Sequence, residues 1–290
     1  MARSEAKAKK AAEEIMDISE NRNAQVEGME CDLTSLRSIK AFSDRFYKKN
    51  IPLHMLLNNA GTFLPPYDFT EDGFEVTVGT NYFGTFYLTH LLMDKLKQTA
   101  PSRIVFQASL FEHLGHIDWK DLECKRSQES GVFEYATSKL EVIMLARELN
   151  KRLQGSGVEC FISQPGLAHT PLYRKSDHKK LSTWLVDAAQ WVYGQRAPQA
   201  CLSLLFAATE PSLQGKGGSY YGPPFVYLAA IHIPFVTGWN TGQREPGNVY
   251  TRDQVAWKHL YDETTNLING KLKEKNIASP LPVVDQILIK

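Results

Sequence analysis

Tyr135-Ala136-Thr137-Ser138-Lys139 sets a phenol and an ammonium four residues apart, and the run that follows, Leu140 to Ala146, carries apolar residues at helical spacing. On a helix the two side chains stand one turn apart on the same side. A free phenol has a pKa of about 10, so at neutral pH roughly one in a thousand is ionised. A general acid/base working near pH 7 needs that value lowered by about 3 units, or roughly 4 kcal/mol. An ammonium at about 4 Å supplies on the order of 4 kcal/mol at an effective dielectric of about 20. The spacing therefore predicts a lysine that lowers the tyrosine pKa, less whatever burial costs. Tyr-x-x-x-Lys also arises by chance, so the pair gains meaning only from what the rest of the chain brings to it.

The totals exclude several function classes. The 290 residues are 43% hydrophobic and 22% charged, which suits one α/β domain, and the formal net charge of +1 does not favour nucleic acid. The cluster Lys7, Lys9 and Lys10 alternates with alanine and reads as a solvated helix face. Cys31, Cys124, Cys160 and Cys201 are far apart and form no Cys-x-x-Cys pair, so no zinc site or disulfide framework is expected. His113 and His116 lack a third ligand nearby and read as loop or substrate-lining residues, so no metal is expected. The N-terminus has no signal-peptide core, and Phe225 to Val236 is too short to span a bilayer. The expected location is cytoplasmic, with peripheral membrane contact and a homodimer both compatible with the sequence.

The elements that must position the pair alternate in kind. Ser4 to Ile18 reads as a helix and Gln25 to Asp32 as a strand. A second helix opens near Asp32, with Thr34 or Ser35 as its cap and Leu36, Ile39, Phe42 and Phe46 as its buried face. Leu53 to Leu57 is a buried strand that stops at Asn58-Asn59-Ala60-Gly61. A long helix from Asp72 to Gln98 carries Asn81. Arg103 to Ser109 and Val158 to Ser163 are further strands, the second ending at Gln164-Pro165-Gly166. Pro198 to Thr209 reads as a short helix, Gly218 to Tyr221 as the last strand and Thr251 to Leu267 as the final helix. Strands alternating with helices predict a doubly wound parallel sheet covered on both faces. The small polar residues that end each strand then share one sheet edge, where ligands bind.

Asn58-Asn59-Ala60-Gly61, Asn81-Tyr82-Phe83-Gly84, Ser109, Tyr135-x-x-x-Lys139 and Pro165-Gly166-x-x-x-Thr170 together resemble the short-chain dehydrogenase/reductase family, in its retinol dehydrogenase and WW-domain-oxidoreductase branch. The resemblance runs from about Arg3 to the mid-260s and implies a Rossmann-like fold. It implies that Tyr135 exchanges a proton with a carbonyl or alcohol, that Lys139 tunes it and meets the nicotinamide ribose, that Ser109 holds the carbonyl oxygen, and that Asn81 positions a relay water. Asn59, Ala60, Gly61, Pro165, Gly166 and Thr170 would line the cofactor, and Asp32 would meet the adenine. Arg3 matches an arginine that meets a ribose 2′-phosphate, which favours NADP, with NAD as the other cofactor. The bland alternatives are a buried amide for Asn81, a strand-end cap for Ser109 and a helix-start residue for Asp32.

One departure is large. The family's opening strand, its Thr-Gly-x-x-x-Gly-x-Gly turn, the first helix and most of the second strand have no counterpart here. That turn is where backbone N–H groups at a helix N-terminus would hold the pyrophosphate. The expectation is an N-terminally truncated domain over residues 1–290, in which the Gln25–Asp32 strand either re-pairs beside Leu53–Asn58 or is poorly fixed. Residues 166–245 would form a lid and an apolar pocket for a retinoid, steroid or aldehyde, and 268–290 a tail. Three explanations stay open: a fragment of a normal enzyme, a chain that borrows the missing elements, or a non-catalytic homologue that binds no dinucleotide and acts through protein partners.

Overall fold

The computed structural model describes residues 1–21, 23–126, 131–166, 168–169, 195–223, 225–227, 234–236 and 241–282. Five strands form the sheet, in spatial order β1 (Met55–Asn58), β2 (Ser102–Gln107), β3 (Val158–Ser163), β4 (Tyr220–Gly222) and β5 (Gly242–Arg244). The first four are parallel, with Leu56 beside Ile104 and Ile104 beside Cys160. β5 returns antiparallel on β4, so the sheet is mixed, and the expectation that Gly218–Tyr221 is the last strand is corrected. Two short pairings lie outside it: Ala168–His169 with Gln195–Arg196, and Phe225–Tyr227 with Pro234–Val236.

β2 and β3 are apolar on both faces because helices cover both. The larger core lies between the sheet and α2 (Leu36–Lys48), α4 (Gly84–Leu91), α6 (Val132–Arg152) and α9 (Gln254–Glu274). It takes Leu56, Ile104, Phe106, Cys160 and Ile162 from the strands. A smaller core on the other face packs Val105 and Phe161 under α8 (Leu202–Thr209), which follows the short α7 (Ala197–Ala200). Successive strand residues point to opposite faces, so β1 shows what is uncovered. Leu56 is 3% exposed on the covered face, while Met55 and Leu57 are 44% and 37% exposed on the other.

The N-terminal region departs from the sequence expectation. Gln25–Asp32 is not a strand; only Glu30 bridges, to Ala2, through Ala2 N–H to the Met29 carbonyl at 3.1 Å and Cys31 N–H to the Ala2 carbonyl at 2.8 Å. The segment neither joins β1 nor hangs loose. Gly28 lies so close to α1 (Glu5–Ile18) that a β-carbon there would stand 2.2 Å from the Ala8 carbonyl oxygen, and Arg45 donates to the Glu30 carbonyl at 2.6 Å. Backbone-to-helix contact and one arginine therefore fix it in place of a ladder.

The long helix is also not continuous. Glu75 caps α3 (Val76–Val78) by accepting from the N–H groups of Thr77 and Val78. A π-turn, Gly79–Phe83, follows before α4, and Leu92 breaks the chain before α5 (Met93–Gln98). At the other end α9 runs to Glu274, with Ile268 and Leu272 buried, so helix occupies the start of the expected 268–290 tail. Residues 283–290 lie outside the described chain.

Glu141 on α6 is fully buried, and neither carboxylate oxygen has a partner among the described residues. Burial holds its carboxyl well above the usual range. A raised acid keeps its proton when folded and loses it when unfolded, so its contribution to stability falls as pH rises above about 4.3. Glu141→Gln is expected to remove a slope of up to about 1.4 kcal/mol per pH unit and to be the more stable protein at neutral pH. Denaturant midpoints from pH 5 to 8 check this; parallel pH dependences for the two proteins would contradict it.

Candidate active site

Three strand ends and one helix meet at the carboxyl edge of the sheet. β1 delivers Asn59, Ala60, Gly61 and Thr62; β2 delivers Gln107, Ala108 and Ser109; β3 delivers Pro165 and Gly166. α6 starts at Gly131, whose φ of 62° lets the chain turn sharply into the helix one turn before Tyr135. These segments, with Tyr135, Lys139, Phe111, Ala200, Cys201 and Leu204, enclose a cavity of about 510 Å³.

The Tyr135 side chain is 6% exposed. Its ring meets Phe63 edge-on at 4.5 Å and Phe111 at 5.8 Å, so the aromatic body is fixed by packing, and the Ser109 side chain lies near enough to the hydroxyl to pull its pKa down slightly. Ser109 ends β2 and caps the 3₁₀ turn Leu110–Leu114, its hydroxyl accepting from Phe111 N–H at 3.4 Å. The hydrogen bond shows the cap, and the same residue lines the cavity. Lys139 donates to the Gln107 carbonyl at 2.8 Å, which holds its ammonium 5.7 Å from the centre of the Tyr135 ring.

The electrostatics correct the sequence expectation. Burial pushes the Tyr135 phenol up, to about 12, and only the Ser109 hydrogen bond pulls the other way. Burial likewise lowers Lys139, to about 8. Lys139 does not figure in the shift of Tyr135. Desolvation of a closed, aromatic-lined site outweighs the attraction computed for an isolated pair in a polar medium.

Asn81 lies in the π-turn. Its Oδ1 accepts from Thr62 N–H at 2.8 Å, and its Nδ2 donates to the Thr62 carbonyl and the Ser138 hydroxyl, both at 3.0 Å. Ser138 in turn donates to the Tyr135 carbonyl at 2.8 Å. Asn81 therefore ties the exit of β1 to α6, which is the buried-amide alternative in a specific form. Ser138, Thr62, Gln107, Phe63 and Phe111 were not singled out from the sequence. Ser138 could have been, because it stands one residue before Lys139 and on the turn after Tyr135.

A second cavity, of about 380 Å³, is lined by Met1, Ala2, Arg3, Asp32, Leu33, Thr34, Pro65 and Thr80 and shares Ala60, Gly61 and Thr62 with the first. Asp32 is already engaged there: its Oδ1 accepts from Thr34 N–H at 3.0 Å and Thr34 Oγ1 at 2.9 Å. Two cavities joined along Ala60–Thr62 suit an elongated ligand. Among the described residues, however, no glycine-rich turn leads into a helix N-terminus at that junction. Gly166 has a φ of 74°, and its N–H donates to Gln164 at 2.7 Å. Thr170 and residues 170–194, which include most of the expected lid, lie outside the described chain. No cluster of three His, Cys, Asp or Glu side chains among the described residues could hold a metal. No described helix is long and apolar enough to cross a membrane.

A parallel sheet with helices on both faces and its cavity at the strand ends is the Rossmann-like arrangement. A family model for short chain dehydrogenases matches residues 1–181, and the chain belongs to that family. It is 39% identical to mouse retinol dehydrogenase 11 over 211 residues, covering 73% of this chain and 65% of that protein. It is 40% identical to human retinol dehydrogenase 11 over 257 residues, covering 89% and 73%. The matches span 65% of mouse retinol dehydrogenase 11 and 58% of mouse retinol dehydrogenase 14, so this chain corresponds to less than two thirds of those relatives. Among solved structures, an uncharacterised protein from Mycobacterium paratuberculosis aligns with 98% of this chain and 85% of its own at 26% identity and a TM-score of 0.64. The 3-ketoacyl-(acyl-carrier-protein) reductase from Brucella melitensis complexed with NADH aligns with 76% and 83% at 18% identity and a TM-score of 0.55.

The lowered value of Lys139 is directly measurable. In a ¹³Cε-lysine NMR titration, one resonance, assigned by its loss in Lys139→Met, is expected to titrate near pH 8. Titration of that resonance with the surface lysines above about 10 would contradict the buried placement.

Proposed function

We propose that this chain interconverts a carbonyl and an alcohol on a lipophilic substrate, with NADP as the preferred nicotinamide dinucleotide and NAD as the other. The observation that carries the reading is the convergence of Tyr135, Ser109 and Lys139 on one cavity at the sheet edge. The dinucleotide, when bound, supplies or accepts the hydride. The chain's own residues handle the proton and the geometry. Ser109 holds the substrate oxygen by hydrogen bonding, and Tyr135 delivers a proton to it in reduction or removes one in oxidation. A phenol near 12 is a stable donor, which suits reduction at neutral pH better than oxidation. Lys139, titrating near 8, holds the cationic form at neutral pH and, held by the Gln107 carbonyl, would meet the nicotinamide ribose. Asn81 fixes the Asn59–Thr62 wall that would lie against the nicotinamide. Asn59, Ala60, Gly61, Pro165 and Gly166 would line that end, with Asp32 and Arg3 at the adenosine end and Arg3 favouring a 2′-phosphate. The relatives named as retinol dehydrogenases, and the apolar Leu110, Phe111, Ala200 and Leu204 in the cavity wall, support a lipophilic substrate such as a retinoid, steroid or aldehyde.

A second reading has its own observation. Met55 and Leu57 face outward from an edge strand, and the junction between the cavities lacks a phosphate-holding turn among the described residues. Both fit a homologue that works through protein partners without turnover. The two readings separate in one experiment. The 290-residue chain is titrated with NADPH and NADH by nicotinamide fluorescence, then assayed on all-trans-retinal and on a small polar aldehyde. The enzyme reading expects saturation below about 1 mM, turnover of the apolar substrate, and a loss of at least about 100-fold in kcat on Tyr135→Phe with dinucleotide binding kept. No saturation with either dinucleotide would leave the non-catalytic reading for this chain.

A further inference from the structure

We propose that Glu112 is a positioning residue for this site. It clasps the Gly247–Asn248 corner and thereby fixes the turn that presents Ser109 and Phe111 to Tyr135. The inference rests on the roles given to Ser109 and Tyr135 above.

Glu112 lies in the 3₁₀ turn that begins at Ser109, and it is 0% exposed. A carboxylate so placed needs several donors, and it has them. Gly247 N–H donates at 2.9 Å, Asn248 N–H at 3.3 Å, and His113 Nδ1 stands 2.6 Å from Oε1. The clasp is reciprocal: Asn248 Nδ2 donates to the Glu112 carbonyl at 3.0 Å and the Gly115 carbonyl at 2.8 Å, closing the end of the same turn. A β-carbon on Gly115 would lie 2.7 Å from the Ala136 carbonyl oxygen, so the turn is pressed directly on α6 beside Tyr135.

The corner is held from its other side by that same helix. Arg147 on α6 donates to the Thr251 carbonyl at 2.6 Å and to Glu245 at 3.1 Å. A closed ring results, from Tyr135 along α6 to Arg147, across the Glu245–Thr251 loop to Glu112, and back along the turn to Ser109. The ring sets the Ser109–Tyr135 relation from both ends. Residues 245–251 lie beyond the 1–181 stretch matched by the family model, so a late segment of this chain completes a site whose reacting groups all lie within that stretch.

Glu112→Ala, Glu112→Gln and Asn248→Ala test this. Gln keeps an oxygen for Gly247 N–H and His113 but sets an NH2 against Asn248 N–H, so a role in hydrogen bonding predicts partial rescue, whereas Ala takes the acceptor away from both the Gly247 and Asn248 N–H groups. Amide hydrogen exchange in the 290-residue protein is expected to speed at least about tenfold at Phe111, Glu112 and Gly115 in Glu112→Ala, with β2 and α9 unchanged and Glu112→Gln between wild type and Glu112→Ala. With retinal and NADPH, kcat is expected to fall at least about tenfold in Glu112→Ala with the KM for NADPH unchanged. If Glu112→Ala does not fold, Asn248→Ala carries the test, with the same local exchange and the same kcat loss expected. Exchange confined to wild-type rates at these amides, or a kcat that does not follow the exchange, overturns the proposal. A wild-type chain with no turnover would sink the functional reading, while the exchange data would still decide whether the clasp holds the turn.

Discussion

One buried carboxamide holds this site together. Asn81 makes three hydrogen bonds to two other segments, and each of its partners is itself part of the cavity wall or of α6. Thr62 belongs to the stretch that links the two cavities, and Ser138 lies on the same turn of α6 as Tyr135 and Lys139. A polar group this deep gains stability only when all its partners are in place, which makes the junction specific as well as stabilising. The π-turn around Asn81 belongs with this role. An extra residue in a helical turn re-aims a side chain, and here it aims an amide across the sheet edge.

Around that junction the protein is unevenly built. On one face of the sheet, helices α2, α4, α6 and α9 bury a large continuous core, further locked by His90 against the Tyr261 hydroxyl at 2.6 Å and Arg152 over the Tyr261 ring at 3.9 Å. On the other face, among the described residues, α8 packs on the strands, and β1 leaves Met55 and Leu57 outside. Tyr135 and Lys139 stand on α6, which packs in the large core. The groups that would hold phosphates have no equivalent support among the described residues. The proposed roles of proton transfer and dinucleotide binding therefore fall to different parts of the molecule.

Much of this was legible in the sequence because it follows from local pattern. The apolar runs that became β2 and β3, the cap at Ser35, and the small polar residues after each strand all have short-range causes. The grouping of Ser109, Tyr135 and Lys139 came from the resemblance and from their places at strand ends and on one helix face. The rest turned on long-range packing. Gln25–Asp32 has strand composition, but only Ala2 is available to pair with Glu30. The direction of the Tyr135 shift turned on Phe63 and Phe111, distant in sequence, closing over the phenol. Glu112 looks like any loop acid until residues from the last fifty fold onto it.

The claim on which the account depends is that Asn81 and Ser138 act as one unit between the sheet edge and α6. A double-mutant cycle on unfolding free energy, with Asn81→Ala, Ser138→Ala and both together, measures that coupling directly. The account predicts a coupling of about 1–2 kcal/mol, with the double variant losing less than the sum of the single losses. Additivity within about 0.3 kcal/mol would show that the two side chains do not act together, and the junction would not be what holds the site.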